Sequence, residues 1–465
     1  MPDMRESCFD MRELHEECGV VGVWGVPDAA HVACTALQYL QHRGQQGCGI
    51  AAAGPDGQIR CHKEAGLVKH VFSEKDLSGL PGMACIGHVR YPTSDVGGLE
   101  NLQPFAMSGR AGTFAVAHNG NIVNASIVRH QLEARGNLFH STSDSELFAQ
   151  LIGMDDRGWE SGIHAAANLL DGAFSTVILT SDTLYATRDR YGFRPLSLGR
   201  LGDGYVIASE TCALDAVGAV FLRDVEPGET VVVGCKGLQS FRYARPAGRF
   251  MCAMEYIYFA RPDSDIEGCN VHSFRKQTGK LLYEEHPVEA DIVICVPDSG
   301  MSAAIGYSEA SGIPLEMGLL KNAYVARTFI QPAQELRDIG VRMKLSPIRS
   351  IIQDKRVVVI DDSIVRGTTS RRIVRMLREA GAREVHMMIS SPKYAWPCFY
   401  GIDTGTRDQL IGATNDEERI CAFIGADSLH YLSEKALYAA AGRSELCTAC
   451  FSGRYPTDLY GRSDG

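Results

Sequence analysis

Residues 355–370 of this chain combine side-chain types that can bind a phosphorylated sugar. Their sequence, KRVVVIDDSIVRGTTS, runs from four β-branched residues into the adjacent carboxylates Asp361 and Asp362 and then into a loop rich in small residues. The apolar run predicts a strand buried on both faces of a parallel sheet, and the helical spacing beyond residue 370 predicts a helix. Loop N–H groups and a helix N-terminus bind phosphate, while paired carboxylates beside them suit a sugar diol and Mg²⁺.

A second candidate centre begins at Cys18, which precedes the apolar run GVVGVW. That run predicts a buried strand, in which a lone cysteine is most simply a core thiol. Polar groups follow at predicted strand ends and turns. Arg90 ends a strand, Asn119 and Gly120 lie in an HNGN segment that predicts a hairpin-type turn, and Asp144 leads into a helix.

The composition bounds the class of protein. A length of 465 residues predicts two or three domains, and 45% apolar with 22% charged residues is ordinary for a globular protein. The net charge of −10 argues against nucleic acid as a partner, and no apolar run approaches a membrane span. Fifteen cysteines without a secretion signal predict a reducing, cytoplasmic location.

The pattern of apolar residues along the sequence changes near residue 248. Short apolar runs separated by frequent turns predict layered antiparallel sheets over residues 110–245. Beyond residue 288, strands alternate with helices, including a predicted strand over residues 315–320, which indicates a parallel sheet. Ser299 follows one strand of this series, so its turn could receive pyrophosphate or simply cap a helix. The basic segment 321–349 is interpreted as a lid over that site.

The segments around Cys18, Arg90, Asn119 and Asp144, taken in order, resemble the glutaminase domain of class II glutamine amidotransferases, which are N-terminal-nucleophile hydrolases with an αββα sandwich. The resemblance implies removal of residues 1–17 and a mature chain that starts at the nucleophile Cys18, whose amino group accepts the thiol proton. It further implies an oxyanion hole made by the Asn119 side chain and the Gly120 N–H. Arg90 would bind the α-carboxylate of glutamine and Asp144 its α-ammonium.

Residues 355–370 resemble the phosphoribosyl pyrophosphate (PRPP) loop of type I phosphoribosyltransferases, which have an α/β fold with a parallel sheet. The resemblance implies that Asp361 and Asp362 hold ribose hydroxyls and that Ser299 joins them near one Mg²⁺ per subunit. The remaining implied PRPP-binding residues lie in the loop and the first helical turn: Ser363, Arg366, Gly367, Thr368, Thr369 and Ser370.

Four cysteines form a third candidate centre. Cys447 and Cys450 make a CxxC pair, which by itself leaves zinc, redox and iron–sulfur readings open. Together with Cys252 and Cys398 they match the contexts of the cluster ligands in amidophosphoribosyltransferases of the propeptide-bearing, iron–sulfur type. That resemblance implies one [4Fe–4S] cluster per subunit, although four thiolates could equally hold a tetrahedral zinc ion.

The resemblance extends over nearly the whole chain. It implies a propeptide (residues 1–17), a glutaminase domain (18–248) and a phosphoribosyltransferase domain with a C-terminal cluster-binding segment (249–465). The implied activity is the first committed step of purine synthesis from glutamine and PRPP, with purine nucleotides as feedback inhibitors and a homotetrameric assembly. The alternatives are another class II amidotransferase and a non-catalytic PRPP-sensing regulator. Ala323 and Ala326 depart from the family's usual Arg and Gly in the lid.

Overall fold

The computed structural model describes residues 18–91, 98–322 and 345–461. Its first half contains two antiparallel sheets, with strand orders β11-β9-β10-β1-β4-β2-β3 and β13-β12-β8-β7-β6-β5. The strands are β1 (Gly19–Trp24), β2 (Gly47–Ala53), β3 (Ile59–Ala65), β4 (Ala84–Arg90), β5 (Phe105–Gly109), β6 (Gly112–Ile122), β7 (Gly172–Leu179), β8 (Leu184–Arg188), β9 (Ser197–Leu201), β10 (Gly204–Ala208), β11 (Val220–Asp224), β12 (Glu229–Gly234) and β13 (Gly237–Arg242).

Helices cover the outer faces of both sheets. They are α1 (Ala29–Tyr39), α2 (Val68–Val71), α3 (Glu74–Ser78), α4 (Ala125–Glu133), α5 (Ser145–Met154), α6 (Trp159–Leu169) and α7 (Thr211–Ala216). Helices α1 and α7 pack on the seven-stranded sheet, and α5 packs on the six-stranded sheet. Between the sheets lies an apolar layer to which both contribute, for example Val20 and Ile207 from one and Val177 and Val231 from the other. This arrangement confirms the predicted αββα sandwich.

The predicted hairpin turn at HNGN is wrong. Asn119 and Gly120 lie within β6, which stays paired with β7 from Ala115 opposite Leu179 to Ile122 opposite Gly172. Gly120 has a φ of 138°, a conformation that L side chains rarely adopt. The Asn-Gly pair therefore stays within a strand, because pairing with β7 overrides its turn preference.

The second half is built on a four-stranded sheet of order β16-β19-β20-β21 in which every pairing is parallel. Its elements in chain order are β14 (Asp265–Ile266), β15 (Cys269–Asn270), α8 (Val271–Glu285), β16 (Ile292–Cys295), α9 (Met301–Ser311), β17 (Leu319–Lys321), β18 (Leu345–Pro347), α10 (Arg349–Ile352), β19 (Arg356–Asp361), α11 (Thr368–Glu379), β20 (Glu384–Ile389), α12 (Ile411–Thr414), α13 (Glu417–Ile424), β21 (Ser428–Tyr431), α14 (Glu434–Ala441) and α15 (Ala449–Ser452). A π-helical turn, Glu255–Phe259, precedes them, and short 3₁₀ turns occupy Gln41–Arg43, Leu99–Asn101 and Arg407–Gln409. The predicted parallel sheet is thus confirmed.

The predicted strand over residues 315–320 is only partly present. Leu315 makes an isolated parallel bridge to Val293, after which the chain leaves the sheet and β17 pairs with β18 instead. Met317 and Leu320 are 60% and 51% exposed, so this apolar run is not buried on both faces as a central parallel strand would be.

Two predictions lie outside the described residues. They concern the propeptide over residues 1–17 and the central part of the lid over residues 323–344, including Ala323 and Ala326. Among the helices that the structure describes, none has the length and apolar character needed to cross a membrane.

Candidate active sites

Strand pairing places Cys18 beside Arg90. Cys18 immediately precedes β1, and β1 pairs with β4 so that Gly19 lies opposite Val89. The Cys18 thiol contacts the carbonyl of Tyr91 at 3.7 Å. Burial lowers the pKa of the Arg90 guanidinium, and its electrostatic interaction with Cys18 acts in the opposite direction. A nucleophile and a buried cation that could bind an anionic substrate group therefore share one end of the seven-stranded sheet.

Asn119 is 1% exposed, and within the described residues its Nδ2 has no hydrogen-bond acceptor. A buried amide donor without an acceptor carries a substantial free-energy cost, which a ligand oxygen would remove. The preceding residue is held firmly: His118 N–H donates to Gln103 Oε1 over 2.7 Å, and Gln103 Nε2 donates to the His118 carbonyl over 3.2 Å. A methyl group on Gly120 would lie 2.0 Å from the Ala173 carbonyl oxygen, so only glycine fits there.

Asp144, which immediately precedes α5, contacts the end of β6. Its Oδ2 accepts the Ile122 N–H over 2.8 Å, while its side chain remains 21% exposed and so retains a face for a ligand. His118 Nδ1 lies 3.9 Å from Asp144 Oδ1, and burial lowers the pKa of His118. Burial therefore favours the neutral imidazole of His118, which packs beside Asp144 and does not add a cation to that of Arg90.

Sequence reasoning missed the residues that support this strand. Gln103 holds His118 from both sides, and Asn121 Nδ2 donates to the carbonyl of Phe399 over 2.8 Å. Asn121 is the second asparagine of the HNGN segment, so its side-chain amide could have indicated a polar contact there. Gln103 had no signal, because its role depends on a contact with a strand 15 residues away.

The second centre forms where β16 and β19 end side by side. Asp361 is the last residue of β19 and Asp362 follows it directly, and each is 7% exposed. Ser299, in the turn after β16, donates to Asp362 Oδ2, and Ser363 donates to Asp362 Oδ1 over 2.5 Å. Asp361 Oδ1 accepts the Asp362 N–H over 2.9 Å. The three predicted Mg²⁺ ligands, Ser299 and the two aspartates, are therefore brought together from segments about 60 residues apart, an arrangement of hard oxygen donors suited to Mg²⁺.

The loop after Asp362 leads into the N-terminus of α11. Gly367 caps this helix with a φ of 75°, and a methyl group there would lie 2.9 Å from Ile411 Cδ1. Thr368 and Thr369 are half-buried in the first turn, whereas Ser370 is only 3% exposed. The two threonines thus have accessible hydroxyls at the helix N-terminus, where phosphate binds favourably. Gly367 allows the positive φ of the turn and the close packing of this turn against Ile411.

The four cysteines lie close together although 398 − 252 = 146 residues separate the first two. Cys252 and Cys447 are joined by an isolated parallel bridge. Burial raises the pKa of the Cys450 thiol well above its usual range, and interactions with Cys252, Cys398 and Cys447 raise it further. Burial also raises the pKa of Cys447 to about 12. Among the described residues, none of the four forms a disulfide.

The cysteine group has four sulfur atoms, the ligand type of both zinc and iron–sulfur sites. Among the described residues, no three His, Cys, Asp or Glu side chains are close enough to hold one metal ion. The Tyr400 N–H donates to Cys398 Sγ over 3.3 Å, a hydrogen bond of the kind that supports cluster sulfurs.

Buried charges join the two halves. Within the first half, Arg43 Nε donates to Glu210 Oε1 over 2.7 Å. Arg194 Nη1 donates across the halves to Glu255 Oε1 over 3.4 Å, and all four side chains are fully buried. Burial by itself raises the pKa of Glu210, but His42 and Arg43 outweigh it and the pKa is lowered far below its usual value. Glu210 is therefore ionised throughout the physiological range.

Comparisons with known proteins cover both halves of the chain. Residues 93–216 match a family model for a glutamine amidotransferase domain, and residues 274–393 match a phosphoribosyl transferase domain. The chain is 52% identical to an amidophosphoribosyltransferase of Bacillus subtilis, over 97% of this chain and 96% of that protein. It is 48% identical to the chloroplastic amidophosphoribosyltransferase 1 of Arabidopsis thaliana, over 96% of this chain and 80% of that one.

Solved structures of this class of enzyme also resemble the chain over nearly its whole length. The glutamine PRPP amidotransferase from B. subtilis complexed with ADP and GMP matches with a TM-score of 0.91 and 51% identity, over 96% of this chain and 99% of that chain. A structure described as the allosteric regulatory enzyme of purine biosynthesis matches with a TM-score of 0.92 and 51% identity, over 96% and 97% of the two chains.

Proposed function

The chain belongs to the amidophosphoribosyltransferase family, and on that premise we propose how its residues divide the reaction between two centres. The enzyme catalyses the first step of purine biosynthesis, in which the amide nitrogen of glutamine is transferred to PRPP. The products are 5-phosphoribosylamine, glutamate and pyrophosphate. The glutaminase centre lies within residues 18–248 and the phosphoribosyltransferase centre within residues 249–465.

The observation that carries the glutaminase assignment is the buried amide of Asn119, whose Nδ2 lacks an acceptor among the described residues. Its strand contacts β4 where His88 Nε2 lies 3.2 Å from the His118 carbonyl, and β4 pairs with the strand that follows Cys18. In the proposed mechanism the mature chain begins at Cys18, after removal of residues 1–17, and its amino group takes the thiol proton. The thiolate attacks the side-chain amide carbon of glutamine. Asn119 Nδ2 and the Gly120 N–H stabilise the oxyanion that forms, because both donors are already positioned.

Collapse of this intermediate breaks the C–N bond. The nitrogen leaves as ammonia after accepting a proton, and a γ-glutamyl thioester remains on Cys18. Water then attacks the thioester carbonyl, releasing glutamate and regenerating the thiol. Arg90 binds the α-carboxylate of glutamine and Asp144 its α-ammonium, which places the amide carbon at the sulfur.

At the second centre Asp361 and Asp362 hold the ribose hydroxyls of PRPP. The loop residues Ser363, Arg366 and Gly367, together with the first turn of α11, surround the 5′-phosphate; the hydroxyl residues of that turn are Thr368, Thr369 and Ser370. Ser299 and the two aspartates would hold Mg²⁺, which when bound supplies positive charge beside the departing pyrophosphate. Ammonia attacks C1 as the bond to pyrophosphate breaks. No side-chain nucleophile is required, so positioning supplies most of the rate.

The cysteine group is assigned to a [4Fe–4S] cluster held by Cys252, Cys398, Cys447 and Cys450. Support comes from the mutual proximity of the four thiols, of which Cys252, Cys447 and Cys450 are buried, and from the N–H donor at Cys398. The group has a structural role in this proposal, because it lies among the apolar residues Phe193, Tyr400 and Val123 that join the two halves.

Purine nucleotides are proposed as feedback inhibitors, and a homotetramer as the assembly. The nucleotide proposal is supported by the description of the B. subtilis relative, which is complexed with ADP and GMP.

The test of the two-centre proposal is Cys18→Ala, with Cys235→Ala, an exposed cysteine of the same half, as the matched control. We expect Cys18→Ala to abolish glutamine-dependent synthesis while ammonia-dependent synthesis continues at the wild-type rate. The control should retain both activities. Loss of both activities in Cys18→Ala with folding intact would show that the centres do not divide the reaction in this way.

A further inference from the structure

A short segment of the phosphoribosyltransferase half lies directly on the strand that carries the proposed oxyanion hole. Asn121 Nδ2 donates to the Phe399 carbonyl over 2.8 Å, across 278 residues of sequence. Two residues farther on, Gly401 has a φ of 125°, and a methyl group there would lie 3.4 Å from the Gly120 carbonyl carbon. The backbone at Gly120 is therefore covered by the backbone at Gly401.

Residues of the glutaminase half hold this covering segment in place. Arg194 Nη2 donates to the Tyr400 carbonyl over 2.5 Å, and the Phe193 ring stacks on that of Tyr400 with centroids 4.2 Å apart. Arg194, Phe193 and Tyr400 are all buried. Residues 399–401 are thus held against the glutaminase half by buried contacts, so a hydrogen bond to them can position another group.

The end of β6 is fixed by two polar side-chain contacts on consecutive residues. Ile122 N–H is held by Asp144, and the Asn121 side chain is held by Phe399. Asn119 and Gly120 immediately precede these anchors. An oxyanion donor must lie about 2.7–3.1 Å from the position where negative charge develops, so a small displacement of this strand end would weaken both donors.

We propose that Asn121 is a positioning residue for glutamine hydrolysis, which sets the oxyanion donors Asn119 and Gly120 by tying their strand to the Phe399 carbonyl. The inference rests on the proposed assignment of those two donors. It means that the phosphoribosyltransferase half contributes to the geometry of the glutaminase centre without touching glutamine.

The experiment compares Asn121→Ala and Asn121→Asp with wild type. Aspartate has the size of asparagine but cannot donate to a carbonyl when ionised. For both variants we expect kcat for glutamine hydrolysis to fall roughly 10- to 100-fold, the effect of misplacing catalytic groups by a fraction of an ångström to an ångström. KM for glutamine should change by less than about twofold, since Arg90 and Asp144 are unaltered.

A second readout separates positioning from general destabilisation. Glutamate γ-semialdehyde is an aldehyde that adds to the Cys18 thiol, and the resulting thiohemiacetal oxygen occupies the oxyanion position. Its affinity should weaken by the same factor as kcat, whereas the affinity for glutamate should not change. Ammonia-dependent synthesis, iron content and the thermal unfolding midpoint should match wild type.

The matched control is Tyr455→Phe, which removes a 2.6 Å hydrogen bond to the Pro397 carbonyl, two residues before Phe399, and keeps the ring that packs on Phe399 and Tyr400. It should leave every value unchanged. If Asn121→Ala retains wild-type kcat and semialdehyde affinity while Asn119→Ala loses both, the positioning role is wrong and the oxyanion hole stands. If Asn119→Ala also loses nothing, the proposed hole is wrong and this inference falls with it. A kcat loss in Asn121→Ala alone, absent from Asn121→Asp, would overturn the role of the donated hydrogen bond in favour of simple packing.

Discussion

Arg43 in the glutaminase half donates through Nη1 to Glu255 Oε1 in the phosphoribosyltransferase half over 3.3 Å, with both side chains fully buried. Arg43 precedes Gly44, and a methyl group on Gly44 would lie 2.6 Å from the backbone carbon of Arg90. The turn that carries this buried ion pair therefore packs against the residue proposed to bind glutamine. Substitution of either residue of this ion pair is therefore expected to alter the geometry of both centres.

Glu210→Gln should destabilise the protein and reduce its sensitivity to acid. The folded-state pKa of Glu210 is lowered below its unfolded value of about 4.3, so its stabilising contribution is complete above that pH and is lost as pH falls. Removing the buried charge leaves Arg43 less well compensated and should cost about 3–5 kcal/mol at pH 7. Urea unfolding midpoints at pH 7 and pH 4 should differ less in the variant than in wild type. The exposed Glu74→Gln serves as control, and an unchanged pH 7 midpoint in Glu210→Gln would contradict the prediction.

Asn119→Ala should lower kcat for glutamine-dependent synthesis by about 10²–10³-fold with little change in KM, because an oxyanion donor acts mainly in the transition state. Steady-state kinetics with glutamine, and separately with ammonia, measure this. Asn168→Ala, an exposed asparagine of the same half, should behave as wild type. A rise in KM without a fall in kcat would instead assign Asn119 to ground-state binding.

Asp362→Asn should raise KM for PRPP roughly tenfold or more, since hydrogen bonds to a charged group contribute about 1.5–3 kcal/mol. The Mg²⁺ concentration needed for half-maximal rate should rise with it, because Ser299 and Asp362 are in direct contact. Glutamine hydrolysis measured without PRPP should not change. Asp354→Asn is the control, since its exposed site has a φ of 61° that asparagine also adopts. Equal PRPP kinetics in Asp362→Asn and wild type would exclude Asp362 from the ribose site.

Cys447→Ser should lose bound iron and the visible absorption of an iron–sulfur cluster, because one of four thiolate ligands is removed. Iron and acid-labile sulfide analysis on protein purified without oxygen measures this. Cys421→Ser, half-buried and outside the group, should retain both. A colourless wild-type protein that contains zinc would overturn the cluster assignment.

Local sequence determined the chemistry-bearing residues and the class of each half. The run of β-branched residues before Asp361 predicted a buried parallel strand, and that strand is present as β19 with the acidic pair at its end. The short apolar runs between frequent turns predicted antiparallel layers, which are also present. These features follow from side-chain periodicity and backbone preference, which act over a few residues.

Only the tertiary structure decided which distant residues meet. Asn119 and Gly120 lie inside β6 and not in a turn, because β7 pairs along the whole segment. Cys252 meets Cys447 through packing within the second half, and Asn121 meets Phe399 through packing between the two halves. No local pattern encodes such contacts: the same Asn-Gly pair or lone cysteine is compatible with several environments, and the free energy of long-range burial and pairing selects among them.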